Sequence, residues 1–141
     1  MKIIIEGTDG VGKSTTIEKL KRYNIICQDR SRDIISKYMM FDIDMETRAS
    51  KYYEYLKNND SLIIFLINND KNELMKRIYS REKISKFDLQ AYEYNVLYKK
   101  TYEYMKENNM LLNKLFIVDV TGLNLENQVE KVKKLIQERR Y

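Results

Sequence analysis

The chain has no histidine, no proline and no tryptophan, one cysteine, and four glycines among 141 residues. Without histidine, Ser-His-Asp and Cys-His catalysis are excluded, and no imidazole can ligate a metal. General acid or base work is left to carboxylates, lysine, tyrosine or a bound nucleotide. The lone Cys27 rules out an intramolecular disulfide and permits a reducing compartment, so a cytoplasmic location is expected. No apolar run approaches the roughly 20 residues that a membrane span needs, and the N-terminus reads as a strand without a secretory apolar core. No membrane partner is expected.

The charge is modest: 26 Lys and Arg against 21 Asp and Glu give +5. That excess suits an anionic small molecule and, more weakly, a nucleic acid. Much of it is lysine dispersed among Ile, Asn and Tyr, as on solvated helix faces, so a nucleic-acid partner is not expected. What is present fits a globular protein, with 43% apolar and 33% charged residues. The length suits a single domain spanning 1–141.

Three of the four glycines fall in one stretch, Met1 to Leu20. The apolar run Ile3, Ile4, Ile5 leads into Gly7, Thr8, Asp9, Gly10, Val11, Gly12, Lys13, Ser14 and Thr15, followed by helical spacing at Ile17 and Leu20. This is G-x-x-x-x-G-K-[ST] in its strand-loop-helix context. A polyphosphate needs a concave array of backbone N–H donors, which glycines permit, and the helix that follows adds its unpaired N–H groups. Lys13 reaches the β- and γ-phosphates of ATP in such a loop, and the Ser14 hydroxyl ligates Mg²⁺. The nine residues from Gly7 to Thr15 are therefore the candidate ATP site.

Downstream, Asn24 to Gln28 reads as a short strand ending at Asp29 and Arg30. An acid at the end of a strand beside the P-loop strand is placed to act near Mg²⁺, and the adjacent guanidinium can clamp a phosphate bidentately. Arg32 to Met40 is spaced as a short helix, with Ile34, Ile35, Tyr38 and Met39 on one side. Asp42 or Asp44 caps a second helix bearing Met45, Ala49, Tyr52, Tyr53 and Leu56. Among Tyr38, Phe41, Tyr52 and Tyr53, one aromatic can stack on a nucleobase, the others being core. Leu62 to Ile67 is apolar without alternation, as in a central parallel strand. Asp70 and Glu73 open a helix with Leu74 and Ile78 inside. Arg77 and Arg81, four residues apart, share a face if the helix continues, and two guanidiniums suit a transferring phosphoryl group. Phe87 to Glu107 predicts one long helix, Leu115 to Val120 a strand, and Asn124 the cap of a last helix carrying Val129, Val132 and Ile136. The expected fold is α/β: a P-loop NTPase-type three-layer sandwich with a mainly parallel sheet of about four strands.

The run Ile5-Glu-Gly-Thr-Asp-Gly-Val-Gly-Lys-Ser-Thr15 resembles the opening of thymidylate kinases, and Gln28-Asp-Arg-Ser31 resembles the DR[YS] and ERS segments of thymidylate and deoxynucleoside kinases. Ser61 to Ile67 followed by Glu73 to Arg81 is similar to their next strand and their arginine-bearing lid, here around 77–88. The resemblance implies Mg·ATP-dependent phosphoryl transfer to a nucleoside monophosphate, or alternatively to a deoxynucleoside, and a homodimer. It assigns catalytic roles to Lys13, Asp29, Arg77 and Arg81, metal contacts to Ser14 and Asp29, and acceptor contacts to Asp9 and Arg30, which Tyr38 joins as the aromatic expected to stack on the acceptor's base. One departure is plain: those kinases place a further strand, with its own acid, between the first helix and the Asp-Arg dipeptide. Glu6 or Asp29 is the candidate replacement. Two other readings stay open, a polynucleotide 5′-hydroxyl kinase and an ATP-binding regulatory module without catalysis.

Overall fold

The computed structural model describes residues 1–30 and 35–139. Four parallel strands, β1 (Lys2–Gly7), β2 (Cys27–Asp29), β3 (Ser61–Ile67) and β4 (Leu115–Asp119), lie in the order β2-β1-β3-β4. The helices are α1 (Lys13–Leu20), α2 (Met45–Asn58), α3 (Lys71–Tyr79), α4 (Lys86–Leu89), α5 (Ala91–Glu107) and α6 (Leu125–Arg139). The architecture is the expected α/β sandwich.

The sheet's two faces follow from the period of two along a strand. In β3, Leu62, Ile64 and Leu66 join Ile3 and Ile5 of β1 in a core completed by Ile17 and Leu20 of α1, Leu74 and Ile78 of α3, and Val129, Val132 and Ile136 of α6. The alternate residues Ile63, Phe65 and Ile67, with Ile4, face the other core, built from Ala49, Tyr52 and Leu56 of α2 and Tyr98 and Met105 of α5. All seven residues of β3 are buried, which explains an apolar run without alternation. Phe65 is wedged edge-on between Tyr52 and Tyr98, with centroids at 5.6 and 4.9 Å. Truncating it to alanine would cost about 3–5 kcal/mol.

Several boundaries differ from the sequence expectation, each for a local reason. The strand expected from Asn24 begins at Cys27, because Asn24 takes the left-handed conformation (φ 59°) that ends the 3₁₀ turn after α1. Asp44, rather than Asp42, caps α2 by accepting from the Thr47 amide at 2.7 Å. The start of the helix expected from Arg32, with Ile34, lies outside the described residues; Ser36–Tyr38 forms one 3₁₀ turn. The long helix expected from Phe87 is two: Ser85 caps the short α4, and α5 starts afresh after Gln90. Arg81 lies beyond the end of α3, since Ser80 terminates that helix.

Candidate functional site

The loop from Gly7 to Thr15 joins the carboxyl end of β1 to the first turn of α1. Val11 is its apolar anchor, fully buried in the α1 core, and the Val11 carbonyl accepts from Gln128 Nε2 at 2.8 Å. The same amide nitrogen also donates to Thr16 Oγ1 at 2.9 Å, so α6 buttresses the loop and the helix behind it. Gly10 and Gly12 have φ of 89° and 82°, and a Cβ on Gly12 would stand 2.8 Å from Gln128 Nε2. Left-handed geometry and close approach together require glycine there. Gln128 went unnoticed in the sequence because it occupies a polar step on an otherwise ordinary amphipathic helix.

Lys13 is buried and turns back over the loop, with Nζ 3.4 Å from the Gly7 carbonyl and 3.2 Å from Asp29 Oδ1. Burial, seconded by the Arg30 charge, lowers its pKa from the ordinary 10.5, against the pull of Asp29. Ser14 and Thr15 are exposed on the first turn of α1. Together with Gly10, Gly12, Arg77, Arg81 and Gln128 they line a cleft of about 380 Å³.

A second cavity, of about 410 Å³, opens on the other side of Asp9. Thr8 and Asp9 line both. Arg30, Ser36, Met39, Met40, Phe87 and Tyr94 contribute most of its remaining wall. Arg30 sits in the left-handed region (φ 56°) just past β2, and its Nη2 donates to the Gly7 carbonyl at 2.8 Å and approaches Asp9 Oδ1 at 3.5 Å. Tyr98 projects from α5 into this cavity while only 4% exposed. Burial first, then the Glu6 charge, raises the pKa of its phenol, so the hydroxyl stays protonated. In sequence, Tyr98 at its helical spacing is indistinguishable from a core tyrosine. Tyr38 does not line this cavity. It lines a separate recess of about 260 Å³ with Lys51 and Tyr55, its ring approached by Lys37 Nζ at 5.4 Å and Lys51 Nζ at 5.6 Å.

Of the other aromatic candidates, Tyr52 is fully buried and donates to Glu6 Oε2 at 3.0 Å. Phe41 is tilted against Tyr94 with centroids 4.3 Å apart. Glu6, also fully buried, accepts from Ser36 Oγ, and Ser36 lines the second cavity.

The two predicted lid arginines reach the P-loop from different elements. Arg77 Nη1 donates to the Gly10 carbonyl at 3.1 Å and its Nη2 pairs with Glu73 at 2.9 Å. Arg81 lies 4.0 Å from Asp9 Oδ2 and 2.9 Å from Asp88 Oδ1. Asp9 is thereby flanked by a guanidinium from each cavity, Arg30 and Arg81.

The donor set suits a hard cation. Ser14 offers an exposed hydroxyl, and the Asp29 carboxylate, 43% exposed at the end of β2, offers oxygen ligands. Among the described residues no three carboxylate or thiol groups cluster. A magnesium ion here would take its other ligands from phosphate and water. No helix among the described residues is long and apolar enough to cross a membrane.

No protein-family model matches the chain, and no curated protein matches it. Among solved structures, deoxyadenosine kinase from M. mycoides with bound dATP superposes with a TM-score of 0.55 at 19% identity, over 97% of this chain and 100% of that one. An uncharacterized protein from Eubacterium ventriosum (TM-score 0.49, 16% identity, 99% of both chains) and shikimate kinase from Bacteroides thetaiotaomicron (0.44, 13%, 97% and 98%) also match. The likeness to the deoxyadenosine kinase, at 19% identity, is one of fold.

Proposed function

We propose that this chain transfers the γ-phosphoryl group of Mg·ATP to a small nucleotide-like acceptor, a (deoxy)nucleoside monophosphate in the first instance. The observation that carries the reading is the junction at Thr8 and Asp9: a glycine-rich cleft holding Lys13, Ser14, Arg77 and Arg81 abuts a second cavity holding Arg30 and aromatic walls. A donor phosphate in the first and an acceptor in the second would meet at the shared residues.

In this reading Gly7 to Thr15 cradle the ATP phosphates through backbone N–H groups, with Lys13 against the β- and γ-phosphates. Ser14 and Asp29 hold Mg²⁺, which when bound neutralises charge on the phosphate oxygens. Arg77 and Arg81 stabilise the charge spread over the transferring group, so catalysis is positioning and electrostatics rather than covalent chemistry. The segment around 77–88 acts as the lid. Arg30 and Asp9 orient the acceptor, whose base lies against Met39, Phe87 and Tyr94.

A deoxynucleoside acceptor is the second reading. Arg30 is already engaged by the Gly7 carbonyl and Asp9, which leaves it less available to an acceptor phosphate, and the fold neighbour is a deoxyadenosine kinase. Both readings are tested by one panel, in which nucleosides and monophosphates are incubated with ATP and Mg²⁺ and ADP is scored. Acceptor-dependent ADP with a monophosphate supports the first, and with a nucleoside the second. ATP binding without acceptor-dependent ADP rejects both in favour of a regulatory binding module.

A further inference from the structure

Asp88 is a carboxylate that neither the P-loop pattern nor the arginine pair anticipates. It is 5% exposed, although it belongs to a four-residue helix at the cavity rim. The Asp9 side chain lies within hydrogen-bonding reach of it, and its two oxygens meet two further partners. Oδ2 accepts from the Ser85 amide at 2.8 Å, while the Asp88 amide donates back to Ser85 Oγ at 3.1 Å, closing a capping box. Oδ1 accepts from Arg81 Nη1 at 2.9 Å. One carboxylate thus fastens a helix cap with one oxygen and a guanidinium with the other.

Arg81 needs that fastening. It lies beyond the end of α3, where its amide still donates to the Ile78 carbonyl at 3.1 Å, and its side chain is 41% exposed. Its other anionic neighbour, Asp9, stands at 4.0 Å, too far for a hydrogen bond, and has Arg30 at 3.5 Å on its other oxygen. Both carboxylates face the same Nη1, and the capped Asp88, at 2.9 Å, supplies the close anchor.

We propose that Asp88 is a positioning residue: through its carboxylate it holds the Arg81 guanidinium over the phosphate cleft, and the Ser85–Asp88 cap keeps that carboxylate in place. This rests on the kinase reading only in the role given to Arg81. The effect is graded toward the γ-phosphate, because Arg81 serves the terminal group and the β-phosphate belongs to the loop and Lys13. Asp88 therefore discriminates ATP from ADP and raises turnover, with little influence on the rest of nucleotide binding.

The test is a set of substitutions read in two ways. Asp88→Asn keeps an oxygen for the Ser85 amide but loses the charge, and is expected to reduce the ratio of ADP to ATP dissociation constants about fivefold and kcat about tenfold or more, with Kd for ADP within twofold. In an Arg81→Ala background the same substitution should change either quantity by less than twofold, because the group being positioned is gone. Asp88→Glu keeps the charge on a stem one methylene longer and should retain at least a third of the turnover; it decides the matter if Asp88→Asn does not fold. An unchanged ADP to ATP ratio in Asp88→Asn, equal losses with and without Arg81, or an Asp88→Glu protein as impaired as expected for Asp88→Asn each overturn the proposal. The binding ratio needs no acceptor, so absence of acceptor-dependent ADP from the wild-type protein rejects the kinase reading separately.

Discussion

Arg48 offers a sharp perturbation of the cavity proposed for the acceptor, because it is 1% exposed and forms no ion pair with an acid among the described residues. Its guanidinium instead gathers three carbonyls from one turn of chain: Nε donates to Tyr38 O at 3.0 Å, and Nη2 to Met40 O at 2.8 Å and Ile43 O at 2.6 Å. That segment supplies Met39 and Met40 to the acceptor-side cavity. Replacing Arg48 by methionine keeps much of the stem volume and strands the carbonyls. Each unsatisfied buried acceptor costs about 1–3 kcal/mol, giving an upper bound near 9 kcal/mol if all three stay dry. Two effects reduce this. Burial already opposes the Arg48 charge, lowering its pKa, and that opposition disappears with the charge; Phe41 in the same segment is 47% exposed, so water can reach part of it. A net loss of about 3 kcal/mol follows, near the low end for breaking a buried charged network, with Tm lower by about 10 °C. Equilibrium urea unfolding followed by circular dichroism measures the first, and titration with acceptor and with ATP measures the consequence for the site. Acceptor KM should rise several-fold while ATP affinity stays within twofold. A stability loss below 1 kcal/mol, or equal weakening of both ligands, would refute the assignment of Arg48 as organiser of the 38–43 segment.

Gly12→Ala places a methyl at φ 82° and 2.8 Å from Gln128 Nε2, so ATP affinity should fall at least tenfold; Gln128→Ala in addition should recover only part of it, since the backbone strain remains, as isothermal titration would read. Lys13→Met should abolish turnover yet leave Tm at neutral pH unchanged or higher. The folded pKa of Lys13 is below 10.5, so between the folded value and 10.5 the unfolded chain binds more protons and wild-type stability rises with pH, a rise that Lys13→Met should lack in unfolding curves at alkaline pH. For Asp88, the Ser85 amide first and foremost holds the folded pKa below 3.8, so its contribution is complete above 3.8 and is lost as pH falls through the lower folded value. Acid unfolding of Asp88→Asn should accordingly be shallower than wild type below pH 3.8, and an identical acid limb would count against that cap.

The fold was legible where a residue's type alone decides its environment. Leu62 to Ile67 has no polar alternation and sits with both faces covered in the sheet, and Gly10 and Gly12 mark a loop whose backbone no side chain tolerates. The P-loop residues were legible for the same reason. What stayed hidden depends on which of two similar contexts a residue meets. Nothing in the spacing of Tyr38 and Tyr98 distinguishes them, yet one faces a recess by α2 and the other the acceptor-side cavity. Arg77 and Arg81 suggested one helical face, but Ser80 ends the helix between them, and they converge by reaching Gly10 and Asp9 separately. The pattern Ser85-x-x-Asp88 stands just before the expected start at Phe87 and is legible as a helix start, whereas the break at Gln90 is masked by the apolar periodicity on either side of it.

In the proposed reaction, the choice between Asp29 and Glu6 as the acid turns on which cavity each carboxylate communicates with. Asp29 and Glu6 both stand at strand ends, but they communicate with different cavities. Asp29 is paired with Lys13 at 3.2 Å and is not among the residues lining the cavity proposed for the acceptor. Glu6 is sealed from solvent, and its Oε1 is bonded by Ser36 Oγ, whose residue lines that cavity. Tyr52, kept protonated chiefly by burial, donates to the other oxygen and fixes the carboxylate's orientation. For a nucleoside acceptor, the second reading above, Ser36 offers a route by which a proton leaving the acceptor hydroxyl reaches Glu6. Asp29→Asn should disturb ATP and Mg²⁺ affinity through Lys13, whereas Glu6→Gln should lower kcat at least tenfold with ATP affinity kept, and Ser36→Ala should reproduce most of that loss. Steady-state kinetics on the accepted substrate decides between them. Full turnover in Glu6→Gln, or a Ser36→Ala protein as active as wild type, would leave the acceptor hydroxyl to be deprotonated by the phosphoryl group it attacks.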